Sequence, residues 1–256
     1  MMLDAVATWF SRLIDAERPA KGPPPRSLLA YMRWLLEGSW IGIGLASAVT
    51  VFAGTLEVMT ALILGRVIDT ALGGAPDTFF SGNAMLLLGV LAFFVILRPV
   101  SLGLMTAFQS LCIAPNVNNL VLSRLHRWTM GQAVTFFDND FAGRIAQKQM
   151  QSARAMTDVV TEMIGAVLFG LASVIASVIL MLSIGYQTTL VLAVWMCLYL
   201  ALIRYSLPRI RVRAAARAAA RAMVTGQVVD TVTNIKTVKL FAHQDYEDRA
   251  ALNEMR

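Results

Sequence analysis

Residues 163–203 carry no charged side chain. The run reads MIGAVLFGLASVIASVILMLSI, then GYQ, then TTLVLAVWMCLYLALI. A helix needs about 20 apolar residues to cross a hydrocarbon core of about 30 Å. Two crossings fit this run if the chain turns at Gly185-Tyr186-Gln187. A second block, residues 41–64, carries one charge, Glu57. The whole chain is 57% hydrophobic and 15% charged. That composition rules out a disordered chain and speaks against an ordinary soluble enzyme. The fold class it implies is all-α: a polytopic membrane protein with four long transmembrane helices.

The net charge of +6 could by itself suggest nucleic acid, but the charges are placed otherwise. Every Lys and Arg except Arg66 and Arg98 lies in residues 1–36, 120–154 or 204–256. Segments 71–81 and 185–188 have none. This is the positive-inside pattern, with the N-terminus in the cytoplasm. The expected site is a bacterial inner membrane, with the bilayer and no nucleic acid as partner.

The spans read as about 38–72, 81–133, 145–184 and 188–222, preceded by a cytoplasmic N-terminal segment, 1–36. Within that segment Leu3, Val6, Phe10, Leu13 and Ile14 predict an amphipathic helix over 1–17, ended by Pro23-Pro24-Pro25. Residues 27–36 suit either an in-plane interfacial helix or the first turns of span 1. A helix from Ser81 to Trp128 is roughly 70 Å long at 1.5 Å per residue, so about half of it must stand outside the hydrocarbon. Two short external turns therefore face two long helical excursions into the cytoplasm.

Residues 136–148 read FFDNDFAGRIAQK, and residues 226–247 read GQVVDTVTNIKTVKLFAHQDYE. The first resembles the first intracellular loop of exporter-type ABC transporters, roughly F-F-[DE]-x-x-x-x-G-[RK]-[IVL]-x-x-R. Phe136, Phe137, Asp138, Gly143, Arg144 and Ile145 match; Lys148 and Ser152 depart from the usual Arg and Asp. The second is similar to that family's second intracellular loop, through Asp230, Asn234, Val238, Lys239 and Phe241. Each motif directly follows an even-numbered span. The resemblance covers nearly the whole chain from about residue 27 and implies a type IV exporter transmembrane domain (residues 37–256, partial).

In that family the loops, here about 136–148 and 223–234, carry transverse coupling helices that seat on nucleotide-binding domains. The resemblance implies coupling roles for Phe136, Phe137, Asp138, Gly143, Arg144, Asp230, Asn234 and Lys239. Physically, two aromatics can bury in a partner's groove, Gly143 permits close backbone approach, and Asp138 can cap a short helix that follows it. The resemblance also implies a nucleotide-binding domain and a second half-transporter, identical or different, as partners. ATP and magnesium would bind on that domain; the chain contains no G-x-x-x-x-G-K-[ST] and no LSGGQ. The family has six spans, so the chain reads as the N-terminal part of a half-transporter, lacking spans 5 and 6. An ion-driven peptide carrier of the same fold, or a non-functional truncated fragment, are the alternatives.

Charges at membrane depth usually face a cavity or a partner. Glu57 and Arg98 read either as an inter-helix pair or, with Phe108, as part of a substrate cavity. Arg66 and Asp69, spaced i, i+3 near the outer interface, read as a local ion pair. Arg209, Arg213, Arg217 and Arg221 recur every four residues. They read as a solvated topology anchor, a vestibule for anions or a contact with anionic lipid. Cys112 and Cys197 read as small buried hydrophobes. His126 and His243 lack ligand spacing, so no metal site is expected.

Overall fold

The structure is a computed structural model that describes residues 8–73, 79–138, 142–233 and 235–236. Among these, four helices are long and apolar enough to cross a membrane. Residues 8–184 belong to one compact unit, and the chain from Gly185 onward to a second.

The chain enters as a helical turn over 8–11 and then continues in turns to residue 17, so the amphipathic helix expected over 1–17 stops well short of the prolines. Docking is the reason. Phe10 and Ile14 are 4% and 1% exposed, and the carbonyls of Ser11, Ala16, Glu17 and Arg18 all accept hydrogen bonds from the second span. A backbone that spends its carbonyls outside the helix does not continue the helix.

Helix α1, Leu28–Leu35, is separate from span 1. Gly38 takes φ +91, a conformation that suits glycine, and a Cβ there would meet the Arg18 side chain at 2.7 Å. The Ser39 hydroxyl donates to Leu36 O at 2.7 Å and closes the corner. Span 1 is α2, Trp40–Gly73.

Span 2 is α3, Ala84–Met130, a 47-residue helix roughly 70 Å long. It contains two π-helical segments, Phe93–Leu97 and Phe108–Ile113. Each stands just ahead of a proline, Pro99 and Pro115. Proline lacks the amide that would close the regular ladder, and the preceding turn widens to re-bond its carbonyls. A short helix, Val134–Asp138, follows.

Span 3, α4, consists of Ala142–Glu162, a π segment Met163–Leu168, and Phe169–Ile184. No proline explains this third widening. There a Cβ on Gly165 would lie 2.6 Å from Gln109 Nε2, so the absent side chain makes room for an amide from α3.

The core does not sit in the most hydrophobic stretches. It gathers Cys112, Ile113, Val117, Leu120 and Val121 of α3 against Ala153, Met156, Val160 and Ile164 of α4, with Phe10, Ile14 and Leu35 from the N-terminal segment. Leu88, Val95, Ile175 and Ile179 are more than half exposed. Lipid is as apolar as leucine, so span surfaces gain nothing by hiding from it. Where α2 and α4 do touch, they use small residues. A Cβ on Gly54 would be 2.8 Å from Phe169 O, and Ser173 Oγ donates to Gly54 O at 3.1 Å.

In the second unit, span 4 is α5, Tyr186–Thr233, 48 residues with Pro208 inside. Cys112 is buried as expected, but Cys197 of α5 is exposed. It lies among apolar neighbours on a span, where exposure to lipid costs a small apolar side chain little.

Candidate functional site: a hairpin tip, an ion pair and a clasp

α3 and α4 form a stiff hairpin. Their facing surfaces interlock through the core just described, and Gln149 Nε2 donates to Thr129 Oγ1 at 2.8 Å toward the far end. At that end sits the short helix with Phe136 and Phe137. Their rings meet edge to face at 5.3 Å, yet they remain 43% and 39% exposed. Two large aromatics are thus left open side by side. The short helix ends at Asp138. The phenylalanines lie on the short helix itself, and Phe136 N bonds Ala133 O at 2.9 Å.

Gly143 and Arg144, in the first turn of α4, are exposed. Among the described residues nothing lies within 4 Å of a Cβ placed on Gly143. On the second tip, the backbone of Asp230 is helical within α5. Asn234 and Lys239, and the side chains of Asp138 and Asp230, lie outside the described residues.

Glu57 and Arg98 meet between α2 and α3 in a forked ion pair. Arg98 Nη2 is 2.9 Å from Oε1 and 3.1 Å from Oε2, and Nε is 3.3 Å from Oε2. Arg98 stands directly after the π segment and before Pro99. A fork on a carboxylate adds directional strength that a lone charge lacks. Phe108 lies elsewhere. It is 6% exposed and packs edge to face on Phe10 at 4.8 Å, in the core under the N-terminal segment. Glu57→Gln leaves the Arg98 guanidinium without its counter-charge in an apolar stretch. The expected loss is about 2–3 kcal/mol, read as a lower thermal midpoint in detergent. The exchanged pair, Glu57→Arg with Arg98→Glu, should recover most of it. An unchanged midpoint in both single variants would show that the pair contributes nothing.

Arg66 and Asp69 do not form the expected local ion pair; among the described residues neither has an ion-pair partner. Both line a cavity of about 380 Å³ against α4 instead. In the arginine series on α5, the Arg209 guanidinium lies over the Tyr205 ring at 3.6 Å.

Sequence reading missed a clasp centred on Arg124. This side chain is 2% exposed. Its Nε donates to Arg18 O at 3.2 Å, its Nη1 to Trp34 O at 2.7 Å and Leu35 O at 2.9 Å, and its Nη2 to Glu37 O. Three of these carbonyls end or follow α1, where a helix leaves its last acceptors open and favours a cation. Around it, Ser123 Oγ donates to Ala16 O at 2.8 Å, and Trp34 Nε1 bonds the carbonyls of Lys21 and Gly22 at 3.2 Å each. Tyr31 stacks on Trp34 at 6.1 Å, and burial raises its phenol above the ordinary value. One signal was legible: Arg124 falls on the stripe Val117, Leu120, Val121, at i, i+3, i+4, i+7.

Four membrane-length helices among the described residues, three of them far longer than a bilayer, define a polytopic membrane protein with helical arms outside the hydrocarbon. The family model of the ABC transporter transmembrane region matches residues 43–254, and the chain belongs to that family. Its helical architecture agrees with the exporter type. The chain is also 26% identical, over 99% of its length, to an uncharacterized ABC transporter ATP-binding protein of Haemophilus influenzae. It spans 41% of that relative's length.

Proposed function

We propose that this chain is the membrane-spanning part of an ATP-driven exporter. It carries amphipathic, drug-like or lipidic molecules outward across a bacterial inner membrane by alternating access. The observation that carries the reading is the open Phe136–Phe137 pair at the end of a stiff hairpin whose α3 arm, roughly 70 Å long, outreaches the hydrocarbon core. A transporter needs such an arm when its engine sits in the cytoplasm. The Lys/Arg asymmetry supports placing the tips and the N-terminus on that side. Similarity to an ABC transporter ATP-binding protein supports an ABC nucleotide-binding domain as the partner. ATP and magnesium belong on that domain, and a second half-transporter, identical or different, completes the pathway. Phe136, Phe137, Asp138, Gly143 and Arg144 meet the engine at the first tip; Asp230, Asn234 and Lys239 do so at the second. Glu57 and Arg98 border the substrate path.

The test uses inverted membrane vesicles in which the chain is produced together with its nucleotide-binding domain. Accumulation of ethidium, an amphipathic cation, should require ATP, stop with vanadate and survive a protonophore. Accumulation driven by an ion gradient without ATP would overturn the reading in favour of an ion-driven carrier.

A further inference from the structure

Between α2 and α4, at the end of the spans away from Trp40, two cavities adjoin and share Leu62, Leu180 and Ser183. The deeper one, about 270 Å³, is walled by apolar side chains, Val58 and Met59 facing Ala176 and Ile179. The outer one, about 380 Å³, opens at Arg66 and Asp69. These two charges stand one helical turn apart, just past the apolar run 58–65. That is the depth at which headgroups lie when about 20 residues fill the hydrocarbon core. Neither charge is neutralised by an ion pair among the described residues. A positive and a negative group side by side, above an apolar trough, complement one chemistry: an acyl chain that ends in a dipolar head.

We propose that the α2–α4 crevice binds a zwitterionic phospholipid, with phosphoethanolamine as its head. The phosphate accepts from the Arg66 guanidinium, the ammonium donates to the Asp69 carboxylate, and one acyl chain lies in the trough between Val58–Leu62 and Ala176–Leu180. Arg66 suits phosphate through its planar fork of donors. Asp69 selects an ammonium that retains N–H donors, which a quaternary headgroup lacks. A dipolar head complements both charges together. The site holds whether ATP or an ion gradient drives transport.

Native mass spectrometry tests it, on the full chain released from nanodiscs of equal phosphatidylethanolamine and phosphatidylglycerol. The wild-type chain should retain phosphatidylethanolamine over phosphatidylglycerol by about tenfold, the order expected of one charge-assisted contact. Asp69→Asn removes the ammonium acceptor and should turn the preference toward the anionic phosphatidylglycerol. Arg66→Gln should abolish retention of both, while Arg66→Lys keeps part of it. Equal retention of the two lipids by the wild-type chain overturns the proposal. So does a preference that Asp69→Asn leaves intact, or a crevice found covered by a second protein copy.

Discussion

Arg124→Met should detach the N-terminal segment from the second span. Methionine keeps much of the stem volume, so little packing is lost, but all four carbonyl contacts go. The carbonyls of Trp34, Leu35 and Glu37 then lose the donor that closes the end of α1. A buried acceptor left without its donor costs about 1–3 kcal/mol, and here several backbone acceptors lose the same donor with nowhere else to turn. The consequence propagates through Ser123, Trp34 and Phe10, which dock the same segment. Limited proteolysis should cut the variant within residues 15–26 much faster than the wild-type chain, and its thermal midpoint in detergent should fall. Arg124→Lys should recover only part, since an ammonium is a compact point charge without the planar fork. Equal cleavage rates for Arg124→Met and the wild-type chain would show that the clasp is decorative.

Phe137→Ala should uncouple transport without disturbing insertion. The ring is 39% exposed and supports no core residue of its own chain, so its removal should leave stability nearly unchanged. Buried aromatic anchors at interfaces often cost about 2 kcal/mol or more when truncated. In the proposed complex that loss falls on the joint between engine and hairpin. Transport in proteoliposomes should drop strongly, and substrate should no longer stimulate ATP hydrolysis, while basal hydrolysis partly persists. Gly143→Val should act the same way. Among the described residues nothing lies near a Cβ there, so harm from the larger side chain would point to a partner. Wild-type transport with normal stimulation in both variants would remove the tips from the mechanism.

Much of the fold was legible because a bilayer imposes its demands on sequence directly. An uncharged run must cross, a Lys/Arg cluster must stay on one side, and a helix too long for the hydrocarbon must protrude. The aromatic pair in FFDNDFAGRIAQK was legible too, and Phe136 and Phe137 are left exposed at the end of the hairpin. The two π segments ahead of Pro99 and Pro115 follow from the prolines. The third, at Gly165, answers to Gln109 from another helix, which no local pattern announces.

Sequence alone thus determined the all-helical, four-span plan, the family and the exposed tip. Those depend on composition and spacing along one chain, which burial within lipid leaves readable. Only the tertiary structure decided which charges meet. Glu57 found Arg98 across 41 residues of sequence, while Arg66 and Asp69, three apart, stayed unpaired over a cavity. It also turned Arg124 from one more topology charge into the centre of a clasp. A guanidinium's role depends on the acceptors that surround it in space, and those come from residues 18 to 37, about a hundred positions away.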